Sequence, residues 1–224
     1  MIYLLHGSGH DPQSVRTQTF SSGSLAELGT AFLVVPAGDS GWWIDSPVRP
    51  LSKYSTYLLE LVEWTERHYP VNRDREARAI CGFSMGGYGA MLAAAQHPEL
   101  FCAASSLLGT LDIAQMYPDY YRLQYLLGDN PVVWQRHNPI QWVDSLAGTA
   151  LLLSTATQAF DRPQNDAFAQ ALRSRGIPFE YCVQEGGHDI SFVRENIGRH
   201  LGFHRRTFER SRSQVASQRA AQQT

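Results

Sequence analysis

Residues Gly82-Phe83-Ser84-Met85-Gly86 have the form G-x-S-x-G, with an apolar run before them and a helical pattern after them. A serine between glycines can be a packing turn that brings a helix close to a strand. In a strand–turn–helix setting it can also be a serine held in a strained backbone conformation, with its hydroxyl presented to a carbonyl carbon. Small residues are needed on either side because the turn packs tightly on its neighbours. A helix starting near Met85 would aim its unpaired N–H groups at the serine, where they stabilise negative charge.

A serine hydroxyl needs a base to become a nucleophile. Among the eight histidines, His68, His97, His137, His200 and His204 lie in helical or loop contexts with nothing convergent, and read as surface or structural residues. His188 differs, because it follows Gly186-Gly187 just after an apolar run and before a helical one. The developing oxyanion needs two N–H donors. The backbone of Met85 offers one, and the loop His6-Gly7-Ser8-Gly9, directly after the apolar run IYLL, offers the N–H of Ser8 as the other.

These groups converge only if the chain places them on one edge of a sheet. Short apolar runs at 2–5, 31–35, 78–83, 101–107, 150–154 and 178–183 read as strands covered on both faces. Helical patterns at 54–67, 86–97, 164–175 and 190–200 lie between or after them. The alternation predicts an α/β fold with a mostly parallel sheet, helices on both faces and right-handed crossovers. Ser84 and His188 then both follow the carboxyl ends of strands, where ligands bind in such sheets. Residues 109–147 carry Tyr117, Tyr120, Tyr121, Tyr125, Trp134 and Trp142, more than a crossover needs. This insertion reads either as a lid over the site or as a second small core. The expected domain is 1–204, followed by a polar tail at 205–224.

A chain of 224 residues suits one α/β domain that holds its core without disulfides or metal. The net charge of −2 offers no basic field for nucleic acid. Cys81, Cys102 and Cys182 are odd in number and unpaired in spacing, which argues against both a disulfide framework and a zinc site. No apolar run approaches membrane-spanning length, no basic leader precedes IYLLH, and the phosphate-loop lysine is absent. The expectation is a cytoplasmic protein that uses no cofactor and binds neither nucleic acid nor membrane.

Together LLHGSG, PAGDSGWWIDSP, GFSMGGYGA, HPELF and EGGHDISF resemble the esterase D and S-formylglutathione hydrolase-like group of α/β-hydrolases. That group includes tributyrin-type carboxylesterases, feruloyl and acetyl esterases and the antigen 85 mycolyltransferases. The resemblance runs over residues 1 to about 203 and implies an acyl-enzyme on Ser84, His188 as base, and Ser8 and Met85 as oxyanion donors. It implies a small-molecule ester of a small or aromatic acid as substrate. Trp42 and Trp43 are then either walls of the substrate pocket or packing anchors.

The sequence departs from the group in two places. Strands usually precede the H-G strand, whereas here the chain begins on it, so the sheet is expected to be short at one edge, leaving an unpaired strand or a homo-oligomer interface. The position where the group carries its triad acid falls on Ala159. Asp161, two residues on, is the expected substitute, with Asp166 as the other choice. A carboxylate is needed there to hold the imidazole tautomer. Acyl transfer or thioester cleavage would use the same residues, and a degenerate fold kept for binding would explain Ala159.

Overall fold

A computed structural model describes residues 1–221. Its six strands are β1 (Ile2–Leu5), β2 (Leu33–Val34), β3 (Ala79–Phe83), β4 (Ala103–Leu107), β5 (Ala150–Ala156) and β6 (Glu180–Gln184). They form one sheet in the order β2-β1-β3-β4-β5-β6, and every neighbouring pair is parallel. Strand β1 is therefore paired on both sides, and the short edge is β2, whose ladder holds two residues. Pro36 lacks an N–H and stops that run soon after Val34. Pro178 likewise has no N–H for a ladder, and β6 starts two residues later than the apolar run.

The helices are α1 (Pro12–Ser14), α2 (Ser22–Ala26), α3 (Tyr54–His68), α4 (Met85–Gln96), α5 (Tyr121–Leu127), α6 (Pro131–Arg136), α7 (Arg162–Ser174) and α8 (Ile190–Ala221). Alternation along β1 divides the core in two, an upper part on the face of α3, α4 and α7 and a lower part on the face of α8. Tyr3 and Leu5 join Leu58 and Val62 of α3, the apolar side chains of α4, and Phe168 and Leu172 of α7. Ile2 and Leu4 join Val15 and the α8 residues Phe192, Val193, Ile197 and Leu201 on the other face. Helix α4 is buried from Met85 to Ala95, which explains why it carries no polar stripe.

The expected boundary at 204 falls inside α8. No proline or terminal glycine follows Gly202 to stop the helix, so it continues through the polar segment. Its first turns beyond 204 are held to the domain: Phe208 is buried in the lower core, and Arg205 donates to the Glu27 carbonyl at 3.1 Å. The insertion at 109–147 forms α5, α6 and two 3-10 turns. Leu123, Trp134, Val143 and Leu146 are fully buried and continuous with the upper core. It docks on α4 through the Tyr88 hydroxyl, which donates to the His137 carbonyl at 2.7 Å.

Candidate active site

Ser84 sits between β3 and α4 with φ 54° and ψ −121°, a left-handed conformation that non-glycine residues seldom adopt. The turn is held by the Ser84 N–H, which donates to the Leu107 carbonyl at 2.9 Å. It closes only because its neighbours are glycine. A Cβ on Gly82 would lie 2.2 Å from the Gly86 carbonyl oxygen, and one on Gly86 would lie 1.9 Å from that of Leu5. Both obstacles are backbone atoms, so no side chain can move to relieve them.

His188 follows β6, and its Nε2 lies 2.9 Å from Ser84 Oγ. Its Nδ1 lies 2.6 Å from Asp161 Oδ1. The loops that carry the two residues are tied by backbone bonds, Thr157 N–H to the Gln184 carbonyl at 2.8 Å and Gln158 N–H to that of Gly186 at 3.0 Å. Asp161 occupies the N-cap position of α7, yet its side chain makes no capping bond. The carboxylate turns inward instead. It is fully buried, and its second oxygen accepts from Thr155 Oγ1 at 2.7 Å and Asn165 Nδ2 at 2.9 Å. A buried carboxylate needs such a full set of partners. Asp166 points elsewhere: it is exposed, accepts from the Tyr181 hydroxyl and pairs with Arg162. Ala159 is buried in the lower core beneath this loop.

The loop after β1 lies against the serine, since a Cβ on Gly7 would fall 3.2 Å from Ser84 Cβ. His6 fixes this loop from below. It is fully buried, its Nδ1–H donates to the Gly7 carbonyl at 2.9 Å, and its Nε2 accepts from the Gly38 N–H at 2.9 Å. Burial lowers its pKa, which keeps the imidazole in this neutral tautomer. Neither the Ser8 nor the Met85 N–H donates to an acceptor among the described residues. The Met85 N–H is one of the unsatisfied donors of the first turn of α4.

Trp42 and Trp43 lie in the core, each 2% exposed, rather than on an open wall. Trp43 packs over Gly38 and Gly89 and donates to the His6 carbonyl at 3.3 Å, while Trp42 meets Tyr88 and Tyr120 edge-on. Trp43 thereby supports the His6 loop. A cavity of about 440 Å³ opens nearby between Ser40, Tyr54, Tyr121, Arg122 and Tyr125. Arg122 donates to Ser8 Oγ at 3.3 Å, which brings the insertion to the site. Phe160, 59% exposed, lies over the His188 ring with centroids 4.3 Å apart.

Thr155, Phe160, Asn165 and Arg122 were assigned no role from the sequence. The spacing Thr155–Asp161–Asn165 carried a signal, because a strand-end hydroxyl and a carboxamide one helical turn after the aspartate are both donors. Arg122 offered none, since its partner Ser8 is 114 positions away.

Known proteins share this architecture. An esterase of Mycobacterium tuberculosis (strain ATCC 25618 / H37Rv) is 27% identical over 220 residues, covering 84% of this chain and 48% of that protein. An S-formylglutathione hydrolase of Paracoccus denitrificans (strain Pd 1222) is 29% identical over 175 residues, covering 74% of this chain and 61% of its own length. The chain thus spans about half to three fifths of these relatives. Among solved structures, fluorophosphonate-binding serine hydrolase F of Staphylococcus aureus, substrate bound, superposes with a TM-score of 0.80 at 22% identity. That match covers 91% of this chain and 82% of the other, and the fold is that of the α/β-hydrolases. The model of the family described as putative esterase matches residues 1–202, and the chain belongs to that family.

Proposed function

We propose that the chain is a serine carboxylesterase that cleaves small-molecule esters through an acyl-enzyme on Ser84. The observation that carries this reading is the unbroken hydrogen-bonded line from Ser84 Oγ through His188 to the buried Asp161 carboxylate, at 2.9 and 2.6 Å. In the first half-reaction, His188 Nε2 takes the Ser84 proton as Oγ bonds to the ester carbonyl carbon. The Ser8 and Met85 N–H groups receive the oxyanion. His188 then returns the proton to the departing alkoxide as the acyl–oxygen bond breaks. Water repeats the sequence, releases the acid and restores the serine. Asp161 holds Nδ1–H throughout and stabilises the imidazolium.

The names of the relatives agree with ester or thioester cleavage. The cavity beside Ser40 and Tyr54 suits a small or aromatic body. The test is a fluorophosphonate probe together with p-nitrophenyl acetate turnover. The wild-type protein is expected to be labelled, and Ser84→Ala to lose both labelling and turnover. Unchanged turnover in Ser84→Ala would overturn the reading.

A further inference from the structure

Arg122 reaches from the insertion to the Ser8 loop of this site. Its Nη1 donates to Ser8 Oγ at 3.3 Å and to Ser40 Oγ at 2.5 Å, and its Nε donates to the Tyr121 hydroxyl at 2.8 Å. All three partners are neutral hydroxyls. Among the described residues no carboxylate pairs with this guanidinium, whereas Arg78, Arg162, Arg175 and Arg205 each have one. Asp39, next to the cavity, accepts from the Tyr54 hydroxyl at 2.6 Å and makes no bond to Arg122. Nη2 of Arg122 donates to nothing among the described residues, so two N–H groups and a full positive charge remain for a ligand.

The position of that charge matters as much as its freedom. Ser8 adjoins Gly7, which lies against Ser84, so Arg122 stands two residues' contact from the nucleophile. It also lines the 440 Å³ cavity, whose walls include Tyr54, Tyr121, Tyr125 and Leu126 beside Ser40, Gly41 and Ser52. Aromatic walls take an apolar body, and a planar guanidinium at one end takes a carboxylate.

Building on the esterase reading, we propose that Arg122 is a specificity-determining anion anchor, and that the preferred substrates are esters carrying a carboxylate on an aryl or alkyl body. The hydroxyls of Ser40 and Tyr121 hold the guanidinium in place without neutralising it. The carboxylate enters as a counter-ion and leaves with whichever product carries it.

The test compares matched pairs of esters. Para-acetoxybenzoate and its methyl ester place the charge on the alcohol side, and mono-p-nitrophenyl succinate and p-nitrophenyl butyrate place it on the acyl side. In Arg122→Gln the anionic-to-neutral ratio of kcat/KM is expected to fall by about tenfold in at least one pair, and Arg122→Lys to retain most of it. The pair that responds identifies the side. An unchanged ratio in both pairs, including an equal loss on both members, would overturn the proposal and leave Arg122 a support of the Ser8 loop. Should wild-type protein turn over none of the esters, calorimetric binding of para-acetamidobenzoate decides. About tenfold weaker binding in Arg122→Gln keeps the anchor while the esterase reading fails, and equal binding rejects the anchor.

Discussion

Asn165 stands one helical turn after Asp161 and holds it twice, donating from Nδ2 to the Asp161 carboxylate at 2.9 Å and to its backbone carbonyl at 3.0 Å. The same amide reaches the Gly109 carbonyl at 2.8 Å, which ties the start of the insertion to the loop behind His188. The aspartate is thereby drawn off its capping position and into the sheet edge, where it meets Nδ1. The Asn165 amide and the Thr155 hydroxyl together fix the Asp161 carboxylate in the orientation that meets the histidine.

Asn165→Leu removes the clamp at similar volume. The Asn165 Oδ1 atom is buried with no partner, so part of the amide is already a cost to the core. The expected outcome is a folded protein whose kcat on p-nitrophenyl acetate falls by roughly tenfold while KM changes little, the size expected for losing one hydrogen bond to a charged group. A rise in KM alone would show that Asn165 shapes the binding surface instead of positioning the acid.

Asp161→Asn is expected to cost far more. Thr155 and Asn165 both donate toward one carboxylate oxygen, so an amide at 161 would place its oxygen there and its NH₂ against His188 Nδ1. The imidazole would then carry its proton on Nε2, the wrong tautomer to accept from Ser84. Turnover should drop on the order of 10⁴-fold. Asp166→Asn, on an exposed residue bonded to Tyr181 and Arg162, should remain within about threefold. Steady-state rates of the two variants, side by side, decide which carboxylate serves.

What the sequence revealed and what it hid divide along the range of the interactions. The serine turn and the His6 loop are legible because strand, glycines and helix start are contiguous, and the backbone clashes that require Gly82 and Gly86 lie within those motifs or between the two. The choice between Asp161 and Asp166 was not legible. Both are near the right strand end, and what separates them is burial and donors brought in by folding. Trp42 and Trp43 left two readings open for a similar reason, since only their contacts with Gly38, Gly89, Tyr88 and Tyr120 show that they sit in the core. Composition also misplaced the end of the domain. A polar segment reads as a tail, but a single phenylalanine at the right helical phase, Phe208, anchors it.

Phe208 gives that correction a direct check. It is 3% exposed and joins the lower core. Phe208→Ala is expected to destabilise the protein by about 3 kcal/mol or more, the usual cost of emptying a buried phenylalanine site. Urea denaturation measures it.

The last prediction concerns pH and rests on two histidines beneath the sheet. His200 Nε2 lies 3.0 Å from Ser154 Oγ, and His204 Nε2 lies 2.8 Å from Ser105 Oγ. Both rings are fully buried, and neither Nδ1 has a partner. Burial pushes both pKa values down from 6.5 to about 3, with the Arg199 charge adding to the effect on His200 and His200 itself adding to that on His204. The folded protein therefore holds these rings neutral while the unfolded chain protonates them below about pH 6.5. As pH falls from there toward 3, the unfolded state binds protons that the native state refuses, and stability is lost. The loss is about 2 kcal/mol per histidine by pH 5, since each unit of pKa difference is worth about 1.4 kcal/mol. Denaturant midpoints at pH 7 and pH 5 should differ accordingly, and the His200→Gln, His204→Gln double variant should lose most of that difference whatever its stability at pH 7. A double variant with the wild-type slope would place the acid sensitivity in other groups.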